Sequence, residues 1–300
     1  MKINEVKKQK QGTEIQFVGK INKMEIKKRK NGQDYLQIRI SDDSDSITFP
    51  IWSEAEKLNK IFKSGQTINV KGKLISFNGQ SQISYPILTI VNEEIENYKL
   101  MPKYEIPEEL VKYFEDTINS MEYKYKEIAI AATGALGYNQ ERWEAFTHCV
   151  AGEKNYGNKI GGLLLHTIGV MKNIEGIVGN YITNPFNVNA EEVINKDRLM
   201  LKAVLHDIMK TKTYEYKGII KRKNTKISHI ELGVSYINQI NIEVGNILNE
   251  EELYDIQYSI LSQYGEYGVY KFKTLEDKLL HIGDMIDSQI SIEVQKKISF

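Results

Sequence analysis

The residues best suited to chemistry sit where the sequence is most apolar. In Leu201-Lys202-Ala203-Val204-Leu205-His206-Asp207-Ile208-Met209-Lys210, an apolar run carries a His-Asp doublet with a lysine three residues on. The pattern predicts one mostly buried helix over Asp197–Thr211. An imidazole and a carboxylate in such a helix must be paired or must hold a metal, because an unpaired buried charge is too costly. Adjacent helical residues lie about 100° apart, so one ion beside the helix can take both. A lone doublet of this kind is more often a satisfied core histidine beside a capping or salt-bridged aspartate. Its company here changes that reading. His166, in Gly161-Gly162-Leu163-Leu164-Leu165-His166-Thr167, and Asp284, in Leu279-Leu280-His281-Ile282-Gly283-Asp284-Met285-Ile286-Asp287, are again polar groups inside apolar, helix-like stretches. A histidine, a His-Asp doublet and a distant aspartate offer two nitrogen and two oxygen ligands. That set suits a divalent first-row metal with positions left for water and substrate.

The order His166, His206-Asp207, Asp284 resembles the ligand pattern of the HD-domain metal-dependent phosphohydrolases. Around it, Gly-Gly-Leu-Leu-x-His-Thr, Leu-His-Asp-Ile-x-Lys and Lys-Thr-Leu-Glu are similar to phrases of the YhaM family of 3′–5′ exoribonucleases. That family joins an N-terminal OB-fold to an HD domain, so the resemblance spans nearly the whole chain. It implies His166, His206, Asp207 and Asp284 as ligands of a divalent metal, Mn²⁺ first, with Mg²⁺ or Co²⁺ as other candidates. Such a metal would polarise a phosphate oxygen and activate a water to attack a terminal phosphodiester. Asp207, Lys210 and His229 would then take catalytic parts: Lys210 neutralises phosphate charge, and His229 serves the scissile phosphate or a second metal. Some positions depart from the family's phrases. Tyr156-Gly157 stand where a His-His pair is expected, Leu165 replaces a glutamate, Met209 a glycine, and Gln263-Tyr264 a second His-His pair. Losing the later histidines predicts one metal rather than two.

Length and composition bound the possibilities. Three hundred residues allow one large or two moderate domains. No apolar run reaches the roughly 18 residues of a membrane span, and Met1-Lys2-Ile3-Asn4-Glu5 has no signal-peptide core. The single Cys149 cannot form an internal disulfide. Together these lead us to expect a cytoplasmic protein without a membrane partner. Cys149 beside His148 is a poor nucleophile pair, since neighbouring side chains on a helix diverge. Formal charge is zero, yet residues 1–100 hold 17 Lys and Arg against 12 Asp and Glu, and the remainder shows the opposite excess of five. A basic binding module joined to a metal-binding module fits that split, as does ordinary fluctuation.

Residues 12–92 read as β-rich. Thr13–Ile26, Tyr35–Ile40, Ser46–Trp52, Thr67–Ile75 and Gln82–Val91 carry strand patterns. Asn31-Gly32 and Asn78-Gly79 signal hairpins, and Glu54–Phe62 reads as a helix between the third and fourth strands. Five strands with that interlude match the OB-fold plan, whose barrels bind single strands on aromatic platforms and basic grooves. Tyr35, Phe49, Trp52, Phe77 and Tyr85 are stacking candidates, with half or more expected in the core because inward and outward residues alternate. Lys27, Lys28, Arg29 and Lys30 crowd the first strand-to-strand turn, as a phosphate-binding hairpin or a solvated one. Tyr35, Trp52 and these four cations are the candidate nucleic-acid contacts.

Pro102 and Pro107 punctuate a linker over 95–107. Beyond it helical periodicity dominates, over Glu108–Asn119, Lys124–Gly137, Gln140–Ala151, Gly162–Val178, Asp197–Thr211, Ser228–Leu248, Glu250–Gln263 and Thr274–Ser291. Tyr214–Lys226, with Lys217, Lys221, Arg222 and Lys223, reads as a loop or short hairpin. The expected architecture is therefore α+β with two domains: an OB-fold barrel over 1–94, then an all-α HD domain over 108–300. Three functions compete. One is a metal-dependent 3′–5′ exoribonuclease acting on single-stranded RNA, with single-stranded DNA as a further substrate. The second is an HD-type nucleotide or cyclic-nucleotide phosphohydrolase. The third is a catalytically degenerate nucleic-acid-binding protein. A homo-oligomer is compatible with all three.

Overall fold

The computed structural model describes all residues except 30, 92–100, 153–157, 183–192, 217–219, 224–225 and 299–300; of 215, 216, 220–222 and 295–298 it describes the backbone alone. Much of the expected linker lies outside the described residues. The chain divides into two units, one of Met1–Tyr104 with Glu215–Arg222 and Lys296–Phe300, the other of Glu105–Tyr214 with Lys223–Gln295. Among the described residues no helix is long and apolar enough to cross a membrane.

The N-terminal unit is built on a long first strand. β1 (Glu14–Lys28) pairs with β4 (Thr67–Phe77) through its first half and with β2 (Asp34–Ser41) through its second. A register shift between Ile21 and Lys23 bends it between the two partners. β3 (Ser46–Ile51) and β5 (Gln80–Ile90) complete an antiparallel sheet of order β3-β2-β1-β4-β5. These outer strands lie against each other, so the sheet curls on itself. Period-two alternation sends Ile15, Phe17, Leu36, Ile38, Phe49 and Val70 into one core. The Asn78-Gly79 turn has both residues at positive φ, 51° and 75°, as a two-residue hairpin that matches strand twist requires. The helix between β3 and β4 is α2 (Ala55–Ile61).

A short helix that the pattern did not predict, α1 (Ile3–Lys7), adds buried Ile3 and Val6 to this core. It is tied down by Asp42. One carboxylate oxygen accepts from the Ile3 amide at 2.7 Å, and the other shapes the β2–β3 turn by accepting from the Ser44 and Asp45 amides at 2.8 and 3.0 Å.

The second unit is helical: α3 (Glu108–Ser120), α4 (Tyr123–Thr133), α5 (Gln140–Thr147), α6 (Gly162–Ile182), α7 (Lys196–Leu205), α8 (Lys210–Thr213), α9 (His229–Glu243), α10 (Glu250–Ser262) and α11 (Leu275–Ile298). Asn139, Asn195, Ser228 and Asn249 cap the starts of α5, α7, α9 and α10. The expected helix over Asp197–Thr211 is broken. α7 ends at Leu205, residues 206–209 form turns, and Lys210 opens a separate short helix. The ladder tightens there to three-residue spacing, with Ile208 N on Leu205 O at 3.2 Å and Lys210 N on Asp207 O at 2.9 Å. Tyr214–Tyr216 and Ile220–Arg222 form a two-stranded hairpin, β6 and β7, one of the two forms expected there. Lys217 lies outside the described residues.

Candidate metal centre and nucleic-acid face

Three helices deliver the polar groups of the second unit. α6 supplies His166 from a stretch in which Leu163, Leu164, Ile168 and Val170 are buried; α7 leads into the doublet, which follows its last residue; α11 carries Asp284. The doublet does not sit within a helix as expected. His206 is the residue after α7, and Asp207 lies in the turn that follows. From there both side chains reach His166, His206 Nε2 at 3.2 Å and Asp207 Oδ2 at 3.5 Å.

His166 Nε2 lies 3.2 Å from His206 Nε2, 3.3 Å from Asp284 Oδ1 and 3.5 Å from Asp207 Oδ2; His206 Nε2 lies 3.4 Å from the same Asp207 oxygen. Among the described residues, ligand atoms of His166, His206 and Asp284 all fall within 4.8 Å of one another. The far nitrogens are occupied: His166 Nδ1 meets Asp287 Oδ2 at 2.7 Å, and His206 Nδ1 meets Ala203 O at 2.7 Å. With acceptors on both Nδ1 atoms, each ring carries a proton there and Nε2 is the nitrogen that faces inward.

Lys210 bonds Asp207 Oδ2 directly and Ala151 O at 2.7 Å, so its ammonium is engaged inside the site. His229, the first residue of α9, places Nε2 3.2 Å from Asp207 Oδ1, but without hydrogen-bond geometry, and that nitrogen is buried without a partner. Burial pushes the Asp207 carboxyl upward, yet Lys210 and then His206 beside it hold it well below the usual carboxylate range. Asp284 is lowered in the same way, with His166 outweighing burial. Burial opposes the positive charge of His166, and hydrogen bonds to Asp207, Asp284 and Asp287 overcome it, so its pKa is raised.

The structure thus brings together His166, His206, Asp207, Asp284, Lys210 and His229. Sequence reasoning left Asp287 without a role. Its signal was its place three residues after Asp284, on the same helix face. Gln263, where the family phrase has a histidine, is buried with Oε1 unpartnered, while Tyr264 is exposed. His281 Nδ1 donates to Gln263 O at 2.6 Å and its ring packs near Phe272. Tyr156 and Gly157 lie outside the described residues.

In the N-terminal unit, Trp52 is 55% exposed just after β3. Its ring lies 4.9 Å from that of Tyr35, and the Arg29 guanidinium sits 4.5 Å above it while donating to Trp52 O. Lys27 and Lys28 are exposed at the end of β1, with Lys27 3.8 Å from Glu25. Lys30 lies outside the described residues. Of the five stacking candidates only Phe49 is core; Trp52, Phe77 and Tyr85 are exposed and Tyr35 is half-buried, fewer core residues than strand alternation predicts. The exceptions fall where alternation stops governing: Trp52 follows its strand, Phe77 meets a hairpin, and Tyr85 adopts φ 50° within β5.

Residues 7–98 match the tRNA_anti-codon family, an OB-fold nucleic acid binding domain. The barrel is therefore an OB-fold. Solved structures with some likeness include a mitochondrial single-stranded DNA-binding protein of S. cerevisiae, 15% identical over 27% of this chain and 98% of that one, TM-score 0.23. A murine DNA-binding protein bound to double-stranded DNA is 14% identical over 33% of this chain and 46% of that one, TM-score 0.22. Both likenesses are too slight to bear on function.

Proposed function

We propose that this protein is a divalent-metal-dependent phosphodiesterase that holds single-stranded RNA on its OB-fold and releases nucleotides from the 3′ end in its helical unit. The observation that carries the catalytic half is the convergence on His166 Nε2 of His206 Nε2, Asp284 Oδ1 and Asp207 Oδ2 at 3.2–3.5 Å, with His206 Nε2 also 3.4 Å from that Asp207 oxygen. Nitrogen and oxygen ligands sit about 2.0–2.2 Å from an ion, so two of them about 90–110° apart are separated by about 2.8–3.6 Å. The donor set fits a first-row metal, with His166, His206, Asp207 and Asp284 as the residues that would hold it. When bound, such an ion supplies Lewis acidity to a phosphate oxygen and acidifies a water.

The chain's own groups do the rest. Asp287 and Ala203 O orient the two imidazoles. Lys210 keeps Asp207 ionised. His229 Nε2, 3.2 Å from Asp207 Oδ1 but not hydrogen-bonded, is a nitrogen able to contact the scissile phosphate or pass a proton to the leaving oxygen. On the OB-fold, Trp52 and Tyr35 offer π-faces to bases, while Lys27, Lys28 and Arg29 meet phosphates. The 3′–5′ direction and the choice of RNA rest on the family resemblance, and the OB-fold match supports a nucleic-acid partner.

One observation favours the degenerate reading instead: Lys210 is spent on Asp207 and Ala151 O rather than open to a phosphate. The two readings separate when 5′-end-labelled single-stranded RNA and DNA are incubated with the protein, with and without Mn²⁺, beside His206→Ala. A Mn²⁺-dependent ladder shortening from the 3′ end, absent in His206→Ala, is expected. Bound but intact RNA at every metal concentration would overturn the enzyme reading.

A further inference from the structure

Asp287 stands outside the ligand group and touches His166 from behind. Its Oδ2 accepts a hydrogen bond from Nδ1–H at 2.7 Å, on the side of the ring away from Nε2. Asp284, one helical turn earlier on α11, faces the Nε2 side at 3.3 Å. One helix thus brackets one imidazole with two carboxylates.

What lets Asp287 in is an absence on α6. At Gly169, three residues after His166, a Cβ would come within 1.9 Å of Asp287 Oδ1 and 2.7 Å of its Cγ. Any other residue there would drive the carboxylate away. The backbone itself does not demand glycine, for Gly169 lies inside a regular helix where alanine is more favourable. The glycine is explained by the carboxylate it admits.

We infer that Gly169 and Asp287 form a seat for His166, the glycine making room and the carboxylate fixing the ring so that Nε2 faces His206, Asp207 and Asp284. Asp287 is a positioning residue, and its consequence for metal affinity rests on the metal-site reading above. A bare salt bridge that serves folding alone would make a different prediction. It would lower stability when lost and would move metal affinity only in proportion.

The test uses the full chain as wild type, Gly169→Ala, Asp287→Ala, Asp287→Asn, the Gly169→Ala/Asp287→Ala double variant and His206→Ala. Metal-stripped protein is titrated with Mn²⁺ by calorimetry, its metal-free thermal midpoint is measured, and ¹⁵N-histidine labelling reports the downfield Nδ1–H proton of His166. Wild type is expected to show that resonance. Gly169→Ala is expected to lose it and to bind Mn²⁺ about 10–100-fold more weakly, with a metal-free midpoint at or near that of wild type. Asp287→Ala falls equally, Asp287→Asn falls less because an acceptor oxygen remains, and the double variant is no worse than Asp287→Ala. Wild-type Mn²⁺ affinity in Gly169→Ala and Asp287→Ala overturns the seat, as does a loss that merely tracks the midpoint. If wild type binds no Mn²⁺ yet shows a resonance that Gly169→Ala abolishes and His206→Ala keeps, the metal-site reading fails and the seat stands. Absence of the resonance from wild type sinks the seat even where Mn²⁺ binds.

Discussion

Replacing Trp52 with alanine should weaken single-strand binding about 5- to 150-fold while leaving its salt dependence unchanged. The ring is 55% exposed, with Tyr35 4.9 Å away and Arg29 held 4.5 Å over it, so an open aromatic surface is available to a base. Base stacking is worth about 1–3 kcal/mol, and about 1.4 kcal/mol is a factor of ten in affinity. Stacking releases no counterions, so the slope of log K against log salt should hold. Lys28→Ala is the contrast: one lost phosphate contact lowers that slope by about 0.7 on a single strand and leaves stacking alone. Arg29→Ala should do both, because its guanidinium rests on the Trp52 ring. The Lys27, Lys28 and Arg29 triple-alanine variant should lower the slope by about 1.4–2.1, the lower figure applying if Glu25 already compensates Lys27. Anisotropy of labelled oligo-U and oligo-dT across a KCl series measures both quantities, with circular dichroism to verify the fold. Wild-type affinity for Trp52→Ala at every salt concentration would refute the platform. A slope change as large as that of Lys28→Ala would refute the division of labour.

Elemental analysis after mild dialysis should find close to one metal per chain, since the phrases that this sequence resembles carry two histidines where it has Gln263 and Tyr264; two retained ions would show that other groups replace them. Asp207→Ala should abolish nucleotide release and keep RNA binding, read by a gel assay beside anisotropy; full activity would end the site assignment. Lys202→Met should destabilise the helical unit by about 3 kcal/mol, because fully buried Lys202 bridges Asp255 and Glu276 at 2.6 Å each while Arg198 remains to share Glu276. Urea melts followed at Trp143, in a Trp52→Phe background, check it, and a change below about 0.5 kcal/mol would refute it. Burial pushes Glu276 upward, but Arg198 and Lys202 hold its carboxyl below the usual range. Its contribution is therefore complete above the unfolded value near about 4.3 and lost as pH falls through the lower folded value. Glu276→Gln should flatten that acid limb, and an unchanged profile would remove Glu276 as its cause.

Sequence by itself determined the parts whose signals are local. Strand alternation and the Asn-Gly turns marked the five strands and their intervening helix along the chain, because side-chain period and turn chemistry act over a few residues. Apolar runs interrupted by single polar groups marked His166, His206, Asp207 and Asp284, because burial forces such groups to find partners. Tertiary structure alone decided what depends on residues far apart in the chain. α1 is only five residues long, and Asp42, 39 residues away, anchors its Ile3 amide. Where the doublet leaves its helix, Lys210 reaches Ala151 O and Asp207 lies 3.5 Å from His166, contacts that no local pattern encodes. Asp287 looked like any helical aspartate. Its meeting with His166, 121 residues away, exists because Gly169 leaves room for it, and the approach of two helices is set only when their faces pack.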